Sequence, residues 1–579
     1  MLLAVAPIAP GQGLAADVLR SIESRWLPFA YAIATALTVL LASGAPDRRR
    51  WFASHFWIYL AVPATRALAI FGFDLEPSVA GAPYVAVVAV IAWRGLAAIW
   101  RSRTTCPDRA IGRRLGLVAL ATMLALLPYE RTVQPTQSDE PHYLLIMESI
   151  VQDHDLDLRN NYDRADYADY YPGILPDRHV IISGESQLPI RDLGLPLLGA
   201  LPFAIARRTG VLVLMCLIGA AIAWRGFTLL RTLRFSRDSA LFAAAGVALL
   251  HPVFTYSTQI YPDLPAALAV LLVAELLARP PTAWRLAGAS ALLGLLPWLT
   301  IRGWFPVVGL GLVVAYQALR PFAGGFTWSR VRALAAAALP FAALVVGLSL
   351  VDLRLFGMFV PNAGYLLIRD AQPVLTYTPQ LGIPGLFLDR TFGLLSRAPV
   401  YALTFFGAVP LFRHARATRS PAIVALFLGW LAYVLYIGDI AYWWADGSPS
   451  SRYLLATIAF PMVALAAGLE RLRGDVGRAA VATAAGWTAA VTAIFALMPN
   501  LRYDLAADVR DGAPGQLWVY VTKILRVDLA LLFPSLVRAA PVDAVVTGVW
   551  AALLALVVVL GARRRAAPVV PPDGPSMAM

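Results

Sequence analysis

The feature that most constrains this chain is the recurrence of apolar stretches long enough to cross a bilayer, separated by short charged or Pro/Gly-rich connections. A membrane's hydrocarbon core is about 30 Å thick, so a helix rising about 1.5 Å per residue needs about 20 mainly apolar residues to span it. Backbone polar groups find no water there, and only a structure that satisfies them internally can cross. Composition agrees: the chain is 59% hydrophobic and 14% charged, outside the balance of soluble globular proteins. The expected fold class is therefore an all-α polytopic membrane protein. Spans are expected over 26–42, 52–71, 82–100, 115–128, 211–230, 240–256, 264–277, 286–299, 304–318, 333–351, 400–411, 422–437, 454–469, 479–498 and 544–560. The stretch 193–205 is too short for a span and reads as an interfacial or re-entrant helix.

Arginines orient these spans, because cytoplasmic loops collect basic residues. Lys523 is the only lysine, and the arginines cluster at 48–50, 101–114, 225–237, 320–332, 413–419, 471–478 and 563–565, each beside an apolar stretch. With the last cluster inside and an odd number of spans, the N-terminus falls outside and every cluster lands in the cytoplasm. The net charge of +13 thus sits at membrane ends, where topology and anionic lipid headgroups account for it; nucleic acid is not an expected partner. Cys106, in a cytoplasmic loop, and Cys216, within a span, are not expected to meet, so neither a disulfide nor a Cys-based metal site follows. The segment Met1-Leu2-Leu3-Ala4-Val5 has no basic flank and makes a poor cleavable signal. Pro-rich residues 568–575 read as a disordered cytoplasmic tail.

The informative polar residues then lie in outer loops. In Gln137-Ser138-Asp139-Glu140-Pro141-His142-Tyr143, Ser138 or Asp139 can cap a helix that Pro141 helps to start, which puts two carboxylates at a helix N-terminus. The helix dipole keeps such an acid ionised, as a base or cation ligand requires. Residues 143–152 show apolar side chains on one side and could lie along the membrane surface. The plain alternative for Asp139-Glu140 is an ordinary N-cap with a first-turn acid. Further on, Asp153-His154-Asp155-Leu156-Asp157 opens like a calcium loop. Leu158 stands where that loop needs glycine and Arg164 where it needs glutamate, which argues against an EF-hand. A weak divalent-cation site and a solvated turn both stay open for these acids.

Ser138-Asp139-Glu140-Pro141-His142-Tyr143, the 155–162 segment, Gly194-Leu195-Pro196, Tyr261-Pro262-Asp263, Leu388-Asp389-Arg390-Thr391-Phe392-Gly393 and Tyr442-Trp443-Trp444 with Ser451-Arg452-Tyr453 together resemble bacterial members of the GT-C glycosyltransferase superfamily. Those enzymes are related to protein O-mannosyltransferases and to the aminoarabinose transferase of lipid A. The resemblance runs from about 115 to 469. It implies a GT-C-like transmembrane helical core over 111–470 with outer-face juxtamembrane helices and three extra N-terminal helices in an accessory region, 1–110. C-terminal transmembrane helices and an outer loop occupy 471–565, and the tail is 566–579. The resemblance also implies a bacterial plasma membrane setting with the active site on the extracytoplasmic face, a polyprenyl-phosphate sugar as donor, a glycan, lipid or protein as acceptor, and Asp139 as catalytic base with Glu140 beside it. Membrane lipids are partners by construction of the fold, and a divalent cation is left open as cofactor.

The residues support the same chemistry by a second route. A phosphate leaving group needs its growing negative charge stabilised, which calls for arginines, while a carboxylate on the opposite face of the sugar takes the acceptor's proton, giving inversion. Arg390, Arg397, Arg302 and Arg452 lie outside by the topology and are clamp candidates; for each the alternative is snorkelling or a local ion pair. The matched motifs add Arg159, Asp389 and Tyr453 as substrate-binding candidates. His142, beside the acids, can bind the phosphate or only the interface. Asp263 at a span's outer end is costly near lipid without a partner and reads as a site residue. Tyr442, Trp443 and Trp444 fit an interfacial belt or a platform for sugar and isoprene, with Trp444 the candidate. A lipid-linked saccharide transporter or flippase, or a non-catalytic accessory subunit, is the rival function; transporters place ionisable residues near the midplane in related halves, a pattern this chain lacks.

Overall fold

In a computed structural model, residues 77–177, 179–319, 328–367, 375, 378–472 and 474–563 are described. The apolar stretches among them become helices, in the order α1 Pro77–Ser102, α2 Asp108–Val133, α3 Glu140–Glu148, α4 Gly194–Thr232, α5 Arg237–Ala248, α6 Asp263–Leu277, α7 Ala283–Leu299, α8 Trp304–Leu319, α9 Trp328–Phe356, α10 Pro379–Leu388, α11 Ala402–Thr418, α12 Pro421–Ile437, α13 Ala459–Arg471, α14 Asp475–Leu497, α15 Gln516–Leu525 and α16 Pro541–Arg563. Seven of the described helical stretches are long and apolar enough to cross a membrane, and α7 and α12 are shorter apolar helices. The protein is an all-α polytopic membrane protein. The expected spans 26–42 and 52–71, the arginines at 48–50, 320 and 564–565, and the tail 566–579 lie outside the described residues.

Most expected spans coincide with a helix to within a few residues, and two readings are corrected. The stretch 240–256 is not one helix: α5 stops at Ala248, and after the cis His251–Pro252 bond only a single turn, Val253–Tyr256, follows. The segment after Asp139 does not lie along a surface, because every residue of α3 is buried. The stretch 193–205 supplies the N-cap and first part of α4. Helical hydrogen bonding runs through α4, but the backbone leaves helical geometry at Ala206 and Arg207, where φ is 49° at Arg207. The part before this break carries the exposed Leu197, Leu198, Leu201 and Ile205. Among the described residues one hairpin, Val180–Ser183 paired antiparallel with Ser186–Pro189, interrupts the helices.

Between helices the packing depends on close backbone approach. At Gly407 on α11 an added Cβ would lie 1.9 Å from the Ala464 carbonyl of α13, and at Gly309 on α8 it would lie 2.2 Å from the Gly429 amide of α12. Lipid tails are as apolar as leucine, so such helices associate through tight van der Waals contact at small residues. The two ends of the bundle differ in chemistry. At one end Arg231 and Arg237 hold Asp108 at 2.8 and 2.7 Å, Arg103 holds Asp238 at 2.8 Å, and Arg413 donates to the Ala562 carbonyl at 2.6 Å. At the other, Arg502 forms a two-pronged ion pair with Glu130, and the Tyr129 hydroxyl donates to the Leu497 carbonyl at 2.6 Å. The second end gathers the loops that carry the candidate site.

Candidate active site

Leaving α2, the chain is tied down where Thr136 donates from its amide and its hydroxyl to the Tyr170 carbonyl, at 3.0 and 2.8 Å. Ser138 takes φ 54°, in the left-handed region, which residues other than glycine enter at a cost. The turn delivers Asp139 to the cap position of α3, yet its side chain makes no capping hydrogen bond. The plain N-cap reading therefore does not hold. Each oxygen of Asp139 instead meets a guanidinium: Arg191 at 2.5 Å and Arg452 at 2.8 Å.

Arg452 continues the chain of charges. Its Nε lies 3.0 Å from Asp263, and Arg302 approaches the other oxygen of Asp263 at 3.3 Å. Three guanidiniums thus alternate with two carboxylates, all buried or nearly so. Tyrosine faces line the row, with Arg452 4.4 Å above Tyr261 and Arg302 4.3 Å above Tyr453, contacts that favour a desolvated cation. The Nε groups of Arg191 and Arg302, at the two ends, are buried without a hydrogen-bond partner. Burial alone pushes the Asp139 carboxyl up, but Arg191 and Arg452 together hold it far below the usual carboxylate range, so it is ionised.

His179 accepts from Arg191 at 3.0 Å, and its ring stands edge-on to His142 at 4.3 Å. His142 Nδ1 lies 3.1 Å from the Tyr162 hydroxyl; burial, with His179 and Arg191 nearby, lowers its pKa well below the usual value, so it stays neutral. Behind Arg191, Asp192 accepts from the Ile301 amide at 3.0 Å, from Asn362 Nδ2 at 2.7 Å and from the Tyr365 hydroxyl at 3.0 Å. Burial pushes Asp192 up to about 7 despite these donors and the two nearby arginines.

The other sequence candidates separate into groups. Asp139, Asp263, Arg452 and Tyr453 come together, with His142 beside them. Glu140 points the other way: its oxygens accept from the Ile260 and Gln137 amides at 2.8 and 3.1 Å, which makes it a brace between two loops, and burial raises its pKa. Arg159 is away from the cluster, exposed and donating to the Glu185 carbonyl of the hairpin. Asp389 accepts from the amides of Thr391, Phe392 and Leu536 at 2.8, 2.9 and 2.7 Å, a knot that binds its loop to the C-terminal segment. Arg390 carries backbone bonds from Trp518 and to Pro534, its Nε buried and unpartnered. Arg397 is fully buried, donating to the Thr391 carbonyl at 2.9 Å with Asp504 3.6 Å away, and burial lowers its pKa to about 10. Tyr442 and Trp443 each meet Trp444 edge-on, with ring centroids 5.9 and 5.4 Å apart; Trp444 stands under Arg510 at 5.0 Å, Trp443 is buried against Gly385 and Tyr442 is exposed.

The acids of 153–166 are engaged locally: Asp153 by Arg164 and Asn161, Asp155 by Ser149, and Asp157 by the Arg159 and Gln187 amides. That is a braced turn. Among the described residues no three His, Cys, Asp or Glu side chains converge as metal ligands do. Sequence reasoning missed Arg191, His179 and Asp192. The available signal was Arg191-Asp192 itself, a charged pair directly before an apolar helix start, which lipid contact would penalise.

No family model and no curated protein matches the sequence. Among solved structures, the fold is similar to the archaeal oligosaccharyltransferase AglB from Archaeoglobus fulgidus in complex with an inhibitory peptide and a dolichol-phosphate, at 16% identity and TM-score 0.39 over 72% of this chain and 59% of that one. It is also similar to the apo form of the Archaeoglobus fulgidus oligosaccharyltransferase, at 15% identity and TM-score 0.37 over 79% and 60%. The chain spans about 60% of the length of these neighbours.

Proposed function

We propose that this protein is an inverting glycosyltransferase that moves a sugar from a polyprenyl-phosphate donor to an acceptor hydroxyl at the membrane face away from its arginine-rich turns, the extracytoplasmic face of a bacterial plasma membrane. The observation that carries the reading is the buried row Arg191–Asp139–Arg452–Asp263–Arg302, with three guanidiniums against two carboxylates and the Nε groups of Arg191 and Arg302 unpartnered. A surplus cation with unpartnered N–H donors in a dry site suits a phosphate, which arginine can grip through two oxygens at once. Unmet donors of this kind are expensive unless a ligand or water takes them.

The reaction follows from the same row. The acceptor oxygen attacks the anomeric carbon while the bond from that carbon to the phosphate oxygen breaks, and the electron pair leaves with the phosphate. Arg191, Arg452 and Arg302 stabilise that charge as it grows. The acceptor's proton goes to the Asp139 carboxylate. Held by two guanidiniums, Asp139 is a weak base; a phosphate that draws Arg191 and Arg452 toward itself releases the carboxylate and raises its proton affinity when the proton must be taken. Region 111–470 supplies this row and is the catalytic core, with 1–110 accessory to it. From 471–565, Arg502 and Asp504 brace the core through Glu130 and Arg397.

The test is transfer from a panel of short-chain polyprenyl-phosphate sugars by purified protein in phospholipid vesicles, paired with mass spectrometry of envelope glycans and glycoproteins after gene deletion. One sugar should disappear on deletion, and Asp139→Asn should insert and fold yet transfer nothing. Unchanged glycoconjugates in the deletion strain, or full transfer by that variant, would overturn the reading.

A further inference from the structure

The C-terminal connection between α14 and α16 carries a feature outside the row of charges. In α15, Leu517, Trp518 and Val521 are buried against Val491 and Phe495 of α14. The opposite side and the turn that follows remain apolar and exposed: Ile524 58%, Leu525 50%, Val527 56%, Leu531 67% and Leu532 59%. So many exposed aliphatic side chains in a short connection would be unfavourable in water.

Two contacts fix how deep this connection sits. The Trp518 ring stacks on Trp487 at 6.1 Å, and Trp550 Nε1 donates to the Leu532 carbonyl at 2.7 Å. Trp487 lies ten residues before the end of α14 and Trp550 nine residues into α16, which is about 15 and 13 Å along axes rising about 1.5 Å per residue. Both helices have 23 residues, about 34 Å and close to the thickness of the hydrocarbon core. Even allowing for the reach of an indole, the Leu532 backbone lies below the end of α16. The exposed aliphatics are also continuous with those of the span, where Val542, Val545, Val549 and Leu553 face outward. Lys523 and Arg526, among them, have stems long enough to carry their charges to the headgroups.

We propose that residues 516–532 form an interfacial helix and an apolar turn seated in the bilayer leaflet on the site side, with acyl chains covering Ile524, Val527, Leu531 and Leu532. This placement does not depend on the transfer reaction. It makes the connection a membrane-inserted element where the sequence reads as an outer loop, and the Trp518 indole, which donates to the Arg390 carbonyl at 2.5 Å and lies 5.3 Å from Arg397, ties it to the 389–397 loop.

Nitroxide labels on single introduced cysteines test it, in a Cys106→Ser background that keeps only the buried Cys216 and whose unlabelled parent supplies the blank, reconstituted into vesicles of phospholipid alone. Collision with oxygen, which concentrates among acyl chains, is compared with collision with a water-soluble nickel chelate. Ile524→Cys and Leu531→Cys should match the lipid-facing reference Leu553→Cys, with an oxygen-to-nickel ratio severalfold above that of Ile182→Cys on the exposed hairpin. Val527→Cys serves where either variant fails to fold. Labels that meet the nickel chelate as Ile182→Cys does would overturn the proposal, and so would labels shielded from both reagents, which would mean cover by a second copy of the chain.

Discussion

Arg452 Nη2 lies 2.8 Å from Asp139 Oδ2, joining the loop before α3 to the short helix Arg452–Leu455. The same guanidinium reaches Asp263 through Nε at 3.0 Å. A lysine's single ammonium can satisfy one of these acids but lacks the planar fork that spans both.

Arg452→Lys should therefore keep the fold and lose about 100-fold or more in transfer rate, the scale of removing a preorganised donor. Arg452→Ala should in addition lose about 3–5 kcal/mol of stability, because two buried carboxylates are left short of a partner. Initial rates and thermal melts of the purified variants separate the two effects; wild-type rates in Arg452→Lys would remove Arg452 from the site.

Glu140 is expected to behave unlike its neighbour. Its two oxygens serve the Gln137 and Ile260 amides, and a glutamine offers only one acceptor oxygen for two donors. Glu140→Gln should lower stability by about 1–3 kcal/mol, the cost of one unmet buried donor, and retain transfer in the fraction that folds. A variant as stable as wild type but inactive would instead make Glu140 a reacting group.

Stability should respond to pH with opposite signs at Asp139 and Asp192. The Asp139 pKa is held below its unfolded value, so its contribution is present above the ordinary carboxylate pKa of about 4 and is lost as pH falls toward the lower folded value. For Asp192, raised to about 7, the folded state keeps a proton that the unfolded state has released. Stability from this group is full below the ordinary pKa of about 4 and declines as pH rises from there through the folded value. Melting temperatures measured from about pH 5 to 8 should fall for wild type and flatten in Asp192→Asn. Parallel curves for the two proteins would show that Asp192 does not titrate there.

Gly407→Ala should be among the costlier single-methyl changes in the protein. The new Cβ would lie 1.9 Å from the Ala464 carbonyl, backbone that cannot turn aside, so α11 and α13 must separate. Overpacking of this kind costs about 1–3 kcal/mol, readable as an earlier thermal transition in detergent. Gly246→Ala, with nothing near its Cβ, is the neutral control.

Different parts of the molecule were legible to different degrees. Asp263 was identifiable because a charge at a span's end needs a partner, and Arg452 as a clamp candidate from its motif; the structure pairs the two. Arg159, Asp389 and Arg397 carried the same charges but serve the hairpin, the 389–397 loop and the C-terminal segment, and nothing local to them distinguishes bracing from binding. Asp139 and Glu140 are adjacent in sequence yet face different partners, because the turn at Ser138 and the start of α3 send successive side chains in different directions.

By itself the sequence determined a multi-spanning helical protein with its basic turns at one end. Length and apolarity decide that locally, since hydrocarbon admits only backbone whose hydrogen bonds close within the helix. Only the tertiary structure decided that Asp139 meets Arg191 and Arg452, that Glu140 braces a backbone, and that the 516–532 connection lies alongside α14 and α16. Ion pairs between residues far apart in the chain depend on angstrom-scale placement, which helix packing sets.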